Sequence, residues 1–158
     1  MKKTIILFLF IYLCTSIAFA QSNMKLIVNS SVMPTEKGHR KGAAVMVPLK
    51  PITEKIGTKL IYDLRDRRVK LMKKGLTAIF YVGEKQITIN GEKVMTPFPA
   101  EIINEKVYVP VGFLTDYLDC QARIDSKKNI IFISTSANEK NSLNNEDGGI
   151  KDIDDFDI

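Results

Sequence analysis

The run Val45-Met46-Val47-Pro48-Leu49-Lys50-Pro51-Ile52-Thr53-Glu54-Lys55-Ile56 returns without a gap as Val107-Tyr108-Val109-Pro110-Val111-Gly112-Phe113-Leu114-Thr115-Asp116-Tyr117-Leu118. The spacing is 62 residues, from Val47 to Val109, and it persists through Asp63 and Asp125, Val69 and Ile131, and Leu71 and Ile133. A pattern used twice implies a structural unit used twice. Neither copy is long enough to bury a core by itself, so the two are expected to share one.

Met24-Lys25-Leu26-Ile27-Val28 opens the first copy as a strand, which stops at Asn29-Ser30-Ser31 before Val32-Met33. Gln86-Ile87-Thr88-Ile89 opens the second, with Asn90-Gly91 as a hairpin turn before Val94-Met95. The copies differ most in the next segment. Pro34 to Gly42 reads as a polar loop, whereas Thr96 to Lys106 holds the apolar pair Ile102-Ile103 and a turn. Both then enter a Val-x-Val strand that ends at proline. Pro48 and Pro110 suit the first turn of a helix, where a missing N–H leaves no bond unmade. Leu49, Ile52 and Ile56 share one face of the first helix, and Val111, Leu114 and Leu118 one face of the second. Gly57 stops the first helix as a left-handed cap, and Asp119 holds the same place in the second.

Each helix feeds a hairpin. Leu60 and Tyr62 run out and Val69 and Leu71 return around Leu64-Arg65-Asp66-Arg67. Ala122 and Ile124 run out and Ile131 and Ile133 return around Asp125-Ser126-Lys127-Lys128. Thr77 to Val82 is a β-rich run between the copies. The expected fold class is α+β: an antiparallel sheet built from two ββαββ pseudo-repeats, about 25–73 and 86–134, each with one short helix and sharing one core.

The folded part is expected to span residues 24–134. Before it, Lys2-Lys3, the apolar run from Thr4 to Ile17 and Ala18-Phe19-Ala20 make a signal peptide, residues 1–20, with Gln21 as the mature N-terminus. The apolar run is shorter than the roughly 20 residues that span a bilayer, which favours cleavage over a membrane anchor. No stable membrane span is then expected, and the protein is expected outside the cytoplasm, secreted or in the cell envelope. Ile11-Tyr12-Leu13 before Cys14 makes a poor lipoprotein signal. Cys14 leaves with the signal, so Cys120 is the one cysteine of the mature chain and no intramolecular disulfide can form. At the start of a predicted strand, Cys120 reads as a buried thiol.

Residues 135–158 read as a disordered acidic tail, rich in Ser, Asn, Glu and Asp with little to bury. The charge is divided accordingly. Residues 21–137 hold 19 Lys and Arg against 11 Asp and Glu, a balance of +8, and residues 138–158 hold two Lys against seven acids, a balance of −5. Either the tail folds back on the body or each meets its own partner.

Site chemistry is sparse. Copper and zinc need clusters of His, Cys or carboxylate. The one histidine, His39, lies in a basic segment with Arg40 and Lys41 and reads as a solvated loop side chain. A Ser/His/Asp system would have to use the same histidine, without the glycines of a nucleophile elbow. Glu101 and Glu105 fall in a turn and strand edge. No enzyme, metal or cofactor is expected. The basic hairpin is the better lead: Arg65, Arg67, Arg68 and Lys70, followed by Lys73 and Lys74, would face an anionic wall polymer or nucleic acid. The alternative is a charged edge that blocks aggregation. Nucleic acid is disfavoured, because Tyr62 is the one aromatic near enough in sequence for base stacking.

In the tail, Asn145, Asp147, Gly148, Ile150 and Asp154 fall on calcium-loop positions, but Leu143 stands at position 1 and the last position lacks Glu. Ile150, Ile153, Asp154, Asp155 and Phe156 form an acidic-apolar motif that would dock on a partner or on the basic hairpin. A solubilising tail is the alternative.

The strand ending in Asn, the Ile102-Ile103-Asn104-x-x-Val107-Tyr108-Val109-Pro110 run, the amphipathic helix and the Ile124-Asp125 turn before a last strand resemble a known pattern. It is that of the stalk-type copper amine oxidase N-terminal domain of exported bacterial proteins. The likeness covers about Lys25 to Ser134 and is best from Ile102 to Ile133. Gly38 to Gly42, Asn104-Glu105-Lys106, Asp119-Cys120, Tyr62 and Ile124 depart from the common pattern. The resemblance implies an antiparallel sheet wrapped around helix, used as a stalk or interaction module. In the oxidases this domain is an appendage apart from the copper site, and the matching motif holds no catalytic residue. A non-catalytic stalk or adaptor of the bacterial cell envelope is therefore expected, with a protein or cell-wall component as partner. Binding of anionic polymers through the basic hairpin is the second reading.

Overall fold

The computed structural model describes residues 23–135; residues 1–22 and 136–158 lie outside the described residues. Strands β1 (Asn23–Val28), β2 (Ser31–Lys41) and β3 (Ala44–Pro48) lead into helix α1 (Leu49–Lys55). Strands β4 (Lys59–Asp63), β5 (Arg68–Lys73), β6 (Leu76–Tyr81), β7 (Gln86–Ile89) and β8 (Glu92–Met95) come next. Then β9 (Glu101–Ile103) and β10 (Lys106–Pro110) precede helix α2 (Val111–Tyr117), and β11 (Cys120–Asp125) and β12 (Ile130–Thr135) close the fold.

Among the described residues the architecture is α+β, mostly strand with two short helices. It departs from the sequence expectation by forming two sheets rather than one. One has seven strands in the order β11-β12-β1-β2-β3-β10-β9, and the other is the five-stranded meander β4-β5-β6-β7-β8. The larger sheet is also mixed: β1 runs parallel to β12, with Lys25 opposite Ile130 and Val28 opposite Ile133. The two strands come from opposite ends of the fold. Parallel strands cannot be joined by a tight turn, so no local signal announces their pairing.

Burial follows the period of two along the strands. Met24, Leu26 and Val28 of β1, Val69 and Leu71 of β5, Ala78 and Phe80 of β6, and Ile131 and Ile133 of β12 are buried. Leu49 and Ile52 of α1 join Val111, Phe113 and Leu114 of α2 in the same cluster, so one core serves both sheets and both helices. Phe113 is the hub of its aromatic part, with Phe80 edge-on at 5.3 Å and Tyr117 at 5.5 Å between ring centroids.

The turns follow their residue types. Asn29-Ser30, Asn90-Gly91 and Asn104-Glu105 have positive φ at both positions, as two-residue hairpin turns matched to strand twist require. Pro48 and Pro110 sit one residue ahead of their helices, in the cap position, rather than in the first turn. There each proline also ends a strand, where its missing N–H costs no bond. Past α1, Gly57 has φ 68°, and the Thr58 N–H returns to Thr53 O at 2.9 Å, closing the helix with a left-handed cap.

One segment contradicts its expectation. Pro34 to Lys41 is not a loop; β2 continues through it to pair with β1 and then β3. The β1 register jumps from Lys25 opposite Lys37 to Leu26 opposite Met33, so Pro34, Thr35 and Glu36 are accommodated as a bulge. Beyond the bulge Gly38 and His39 are buried. The buried positions fall on a glycine and a histidine, and an apolar count registers neither.

Candidate functional site

His39 is the first correction at the level of side chains. It is 4% exposed rather than solvated, because β2 carries it between β1 and β3. Its Nε2 lies 2.8 Å from Glu101 Oε1 on β9, and its ring meets Tyr108 edge-on at 5.1 Å. Lys41 forms an ion pair with the other Glu101 oxygen. Burial pushes the Glu101 carboxyl up, but hydrogen bonds and charge from Lys41 and His39 together outweigh it and hold the group below its ordinary value. One His nitrogen is thus engaged by a carboxylate that a lysine also shares. Among the described residues no group of three His, Cys, Asp or Glu side chains stands close enough to hold a metal ion.

The other titratable groups also serve the fold. Lys106 Nζ donates to Glu36 Oε1 at 2.7 Å, and this bond raises the lysine above its ordinary value. Cys120 is buried, its Sγ 3.6 Å from Leu118 O, and burial pushes the thiol up, away from the reactive thiolate.

Exposed cations and apolar side chains share one face of the five-stranded sheet. Asp63 Oδ1 accepts the N–H groups of Arg65 and Asp66, at 3.1 and 3.3 Å, and folds the β4–β5 turn back on itself. Arg65 and Arg67 stand exposed on this turn and make no side-chain ion pair among the described residues. Arg68 Nη2 is 3.9 Å from Asp63 Oδ2, and Lys70 follows on β5. The four cations named from sequence therefore share one hairpin.

Register extends the site well beyond that hairpin. Tyr62, Val69, Phe80, Ile87 and Val94 form a row across all five strands on the core side. One residue along, Ile61, Lys70, Ile79, Thr88 and Lys93 form the matching row on the outer side. Lys59 opposite Met72, Arg68 opposite Tyr81 and Gln86 opposite Met95 complete this face. Ile61 at 44%, Tyr81 at 41% and Met95 at 66% exposure make it apolar as well as basic. Residues 59–95 hold nine Lys and Arg against four Asp and Glu, a balance of +5.

Sequence reasoning names Arg65, Arg67, Arg68 and Lys70 but misses Lys59, Lys93, Ile61, Tyr81 and Met95. The period-two alternation within each strand carries the signal, but it needs the strand order to be read as one surface. Tyr62, the aromatic neighbour expected from sequence, points into the core row, and Tyr81 takes its place beside Arg68. The acidic-apolar motif of Ile150, Ile153, Asp154, Asp155 and Phe156 lies outside the described residues, as do the calcium-loop positions. No helix within the described residues is long and apolar enough to cross a membrane.

Comparison with curated proteins finds no match. The family model described as the copper amine oxidase N-terminal domain matches residues 26–133, more than half of the 158-residue chain and nearly all of the described fold. The chain therefore belongs to the copper amine oxidase N-terminal domain family.

Proposed function

We propose that this protein is an exported, non-catalytic stalk or adaptor of the bacterial cell envelope, working by presenting a surface to a protein or wall component. The observation that carries the reading is the outer face of the five-stranded sheet. It keeps Ile61, Tyr81 and Met95 in water among cations, although the opposite face of the same strands is buried. Family membership supports it, since the domain for which the family is named is a non-catalytic part of the oxidases. Export rests on the leader at residues 1–20. Mass spectrometry of the protein recovered from its native host tests it, with Gln21 as the expected first residue and an intact Met1 or Lys2 as the contrary result.

The functional test is co-sedimentation with purified cell-wall sacculi and capture from envelope protein extract. Retention that Tyr81→Ser and Met95→Ser together reduce at least tenfold supports the reading; retention indifferent to both overturns it. The second reading, binding of an anionic polymer, is favoured by the exposure of Arg65 and Arg67 without ion-pair partners among the described residues. It requires affinity that falls steeply with salt and is lost when Arg65, Arg67 and Arg68 are reversed to Glu.

We propose further that the two halves are copies of one unit, in which strands ending at a proline lead into a short helix and a hairpin, although three strands precede the first helix and four, β7 to β10, the second, not the two expected from sequence. Three features support this. Val47 of β3 faces Val109 of β10, its counterpart 62 residues on. His39 bonds to Glu101, again its own counterpart at a separation of 62. Asp63 and Asp125 each accept two turn N–H groups, and Arg67 and Asn129 take positive φ at the same place in the two turns. A chain bearing the second-copy turn, Asp125 to Asn129, in place of Asp63 to Arg67 should fold with its melting temperature within a few degrees of the parent; failure to fold would count against equivalence.

A further inference from the structure

We propose that the acidic-apolar segment from Ile150 to Phe156 docks, within the same chain, on the outer face of the five-stranded sheet and covers the surface otherwise offered to a partner. The inference rests on the reading of that face as a contact surface.

Complementarity of two kinds selects this occupant. The face alternates cation and apolar side chain, Ile61-Lys70-Ile79 across the strands and Arg68-Tyr81 beside them. The segment Ile150-Lys151-Asp152-Ile153-Asp154-Asp155-Phe156-Asp157 sets an apolar side chain at every third position among four acids and one lysine. The balance of +5 over residues 59–95 meets a balance of −5 over residues 138–158. Charge brings the two together and the apolar residues give the contact a register, because Ile61, Tyr81 and Met95 gain from leaving water where Ile153 and Phe156 do the same.

The point of departure fits as well. Thr135, the last residue of β12, pairs with Cys120 at the start of β11. The residues just before Cys120 are held by the five-stranded sheet itself: Lys73 Nζ donates to Leu118 O at 3.0 Å and reaches Asp119 at 3.1 Å. Chain leaving Thr135 therefore starts next to the end of β5. Residues 136–149 separate that point from Ile150 and at full extension reach about 45–50 Å. Five strands at about 4.8 Å spacing are only ~19 Å across, so every row of the face is within range. Covalent attachment sets the local concentration of the segment in the millimolar range, enough to populate a contact too weak to form between separate molecules at micromolar concentration.

The test uses residues 21–158 with backbone amides assigned by NMR. In one variant Asp152, Asp154, Asp155 and Asp157 become Asn; in a second, Ile153 and Phe156 become Ser; in a third, Lys70 and Lys93 become Glu. Docking predicts that the first two move the amide shifts of Ile61, Lys70, Ile79, Tyr81 and Lys93 away from the parent, that the third moves those of Ile153 and Phe156, and that 0.5 M salt moves the parent toward the variants. It also predicts that a synthetic peptide of residues 148–158, added to the Asn variant at millimolar concentration to match the tethered segment, restores the parental shifts at the same positions. Shifts unchanged outside the substituted residues, or changes confined to the seven-stranded sheet, would overturn it. Capture of envelope protein separates this inference from the reading beneath it. The Asn variant should retain at least tenfold more partner than the parent, and equal retention would sink the covering role. No retention by either form, with the shift changes intact, would instead sink the face as a partner surface and leave a docked tail.

Discussion

At Gly38 a β-carbon would run into Ile131 Cδ1 and stand 2.9 Å from Met46 O, a backbone atom of the neighbouring strand that has nowhere to go. Glycine is required here by close approach of three strands rather than by φ. Gly38→Ala should cost about 2–3 kcal/mol, at the upper end for overpacking. In thermal unfolding this is a fall of roughly 10 °C in Tm, and an unchanged Tm would mean that β2 lies further from β3 and β12 than described. Glu101 gives a prediction in pH. Its carboxyl is held below its ordinary value in the folded chain, so its contribution is full above the unfolded value of about 4.3 and is lost as pH falls through the lower folded value. Glu101→Gln should therefore be less stable than the parent at pH 7, and the gap should close on acidification below about pH 4. Urea midpoints measured from pH 7 to pH 3 decide it, and a gap independent of pH would show that Lys41 and His39 do not favour the charged form.

At the scale of elements, what could be read from the sequence depended on whether the determinant was local. Both helices were legible because a proline, an apolar face and a left-handed stop stand within ten residues of one another. The hairpin turns were legible because Asn29, Asn90 and Asn104 tolerate positive φ. The full length of β2 was not, since a bulge absorbs Pro34 to Glu36 and the buried residues beyond it are not apolar. The basic site divides in the same way. Its hairpin is four cations in six residues, but the face around it exists only through the register of five strands. Within that hairpin Arg67 has φ 53°, where Asn129 occupies the matching position of the other turn with φ 55°. Asparagine accepts this conformation more readily than arginine. Arg67→Asn should therefore raise stability by about 1 kcal/mol, or ~4 °C in Tm. A lower Tm would mean that the guanidinium makes a contact worth more than the strain.

Across the whole molecule the pairing of first and last strands has a mechanical consequence. Because β1 and β12 are parallel, the chain enters the pair at one end, at Asn23, and leaves it at the other, at Thr135. Tension between the two ends of the domain then pulls the strands past one another along their length. The Lys25 N–H to Asn129 O bond at 2.7 Å, the Asn29 N–H to Ile133 O bond at 2.8 Å and the Thr135 N–H to Asn29 Oδ1 bond at 3.0 Å are loaded together rather than peeled one at a time. A single-molecule experiment that pulls at the two ends should meet a high rupture force. The same domain held at Lys59 and Lys73, across the open end of the β4–β5 hairpin, should unzip at a much lower one. Equal forces in the two geometries would show that the clasp is not the load path. A module strung between an anchored neighbour and a moving one would in this way resist extension along the axis on which a stalk is strained, and yield first when pulled from the side.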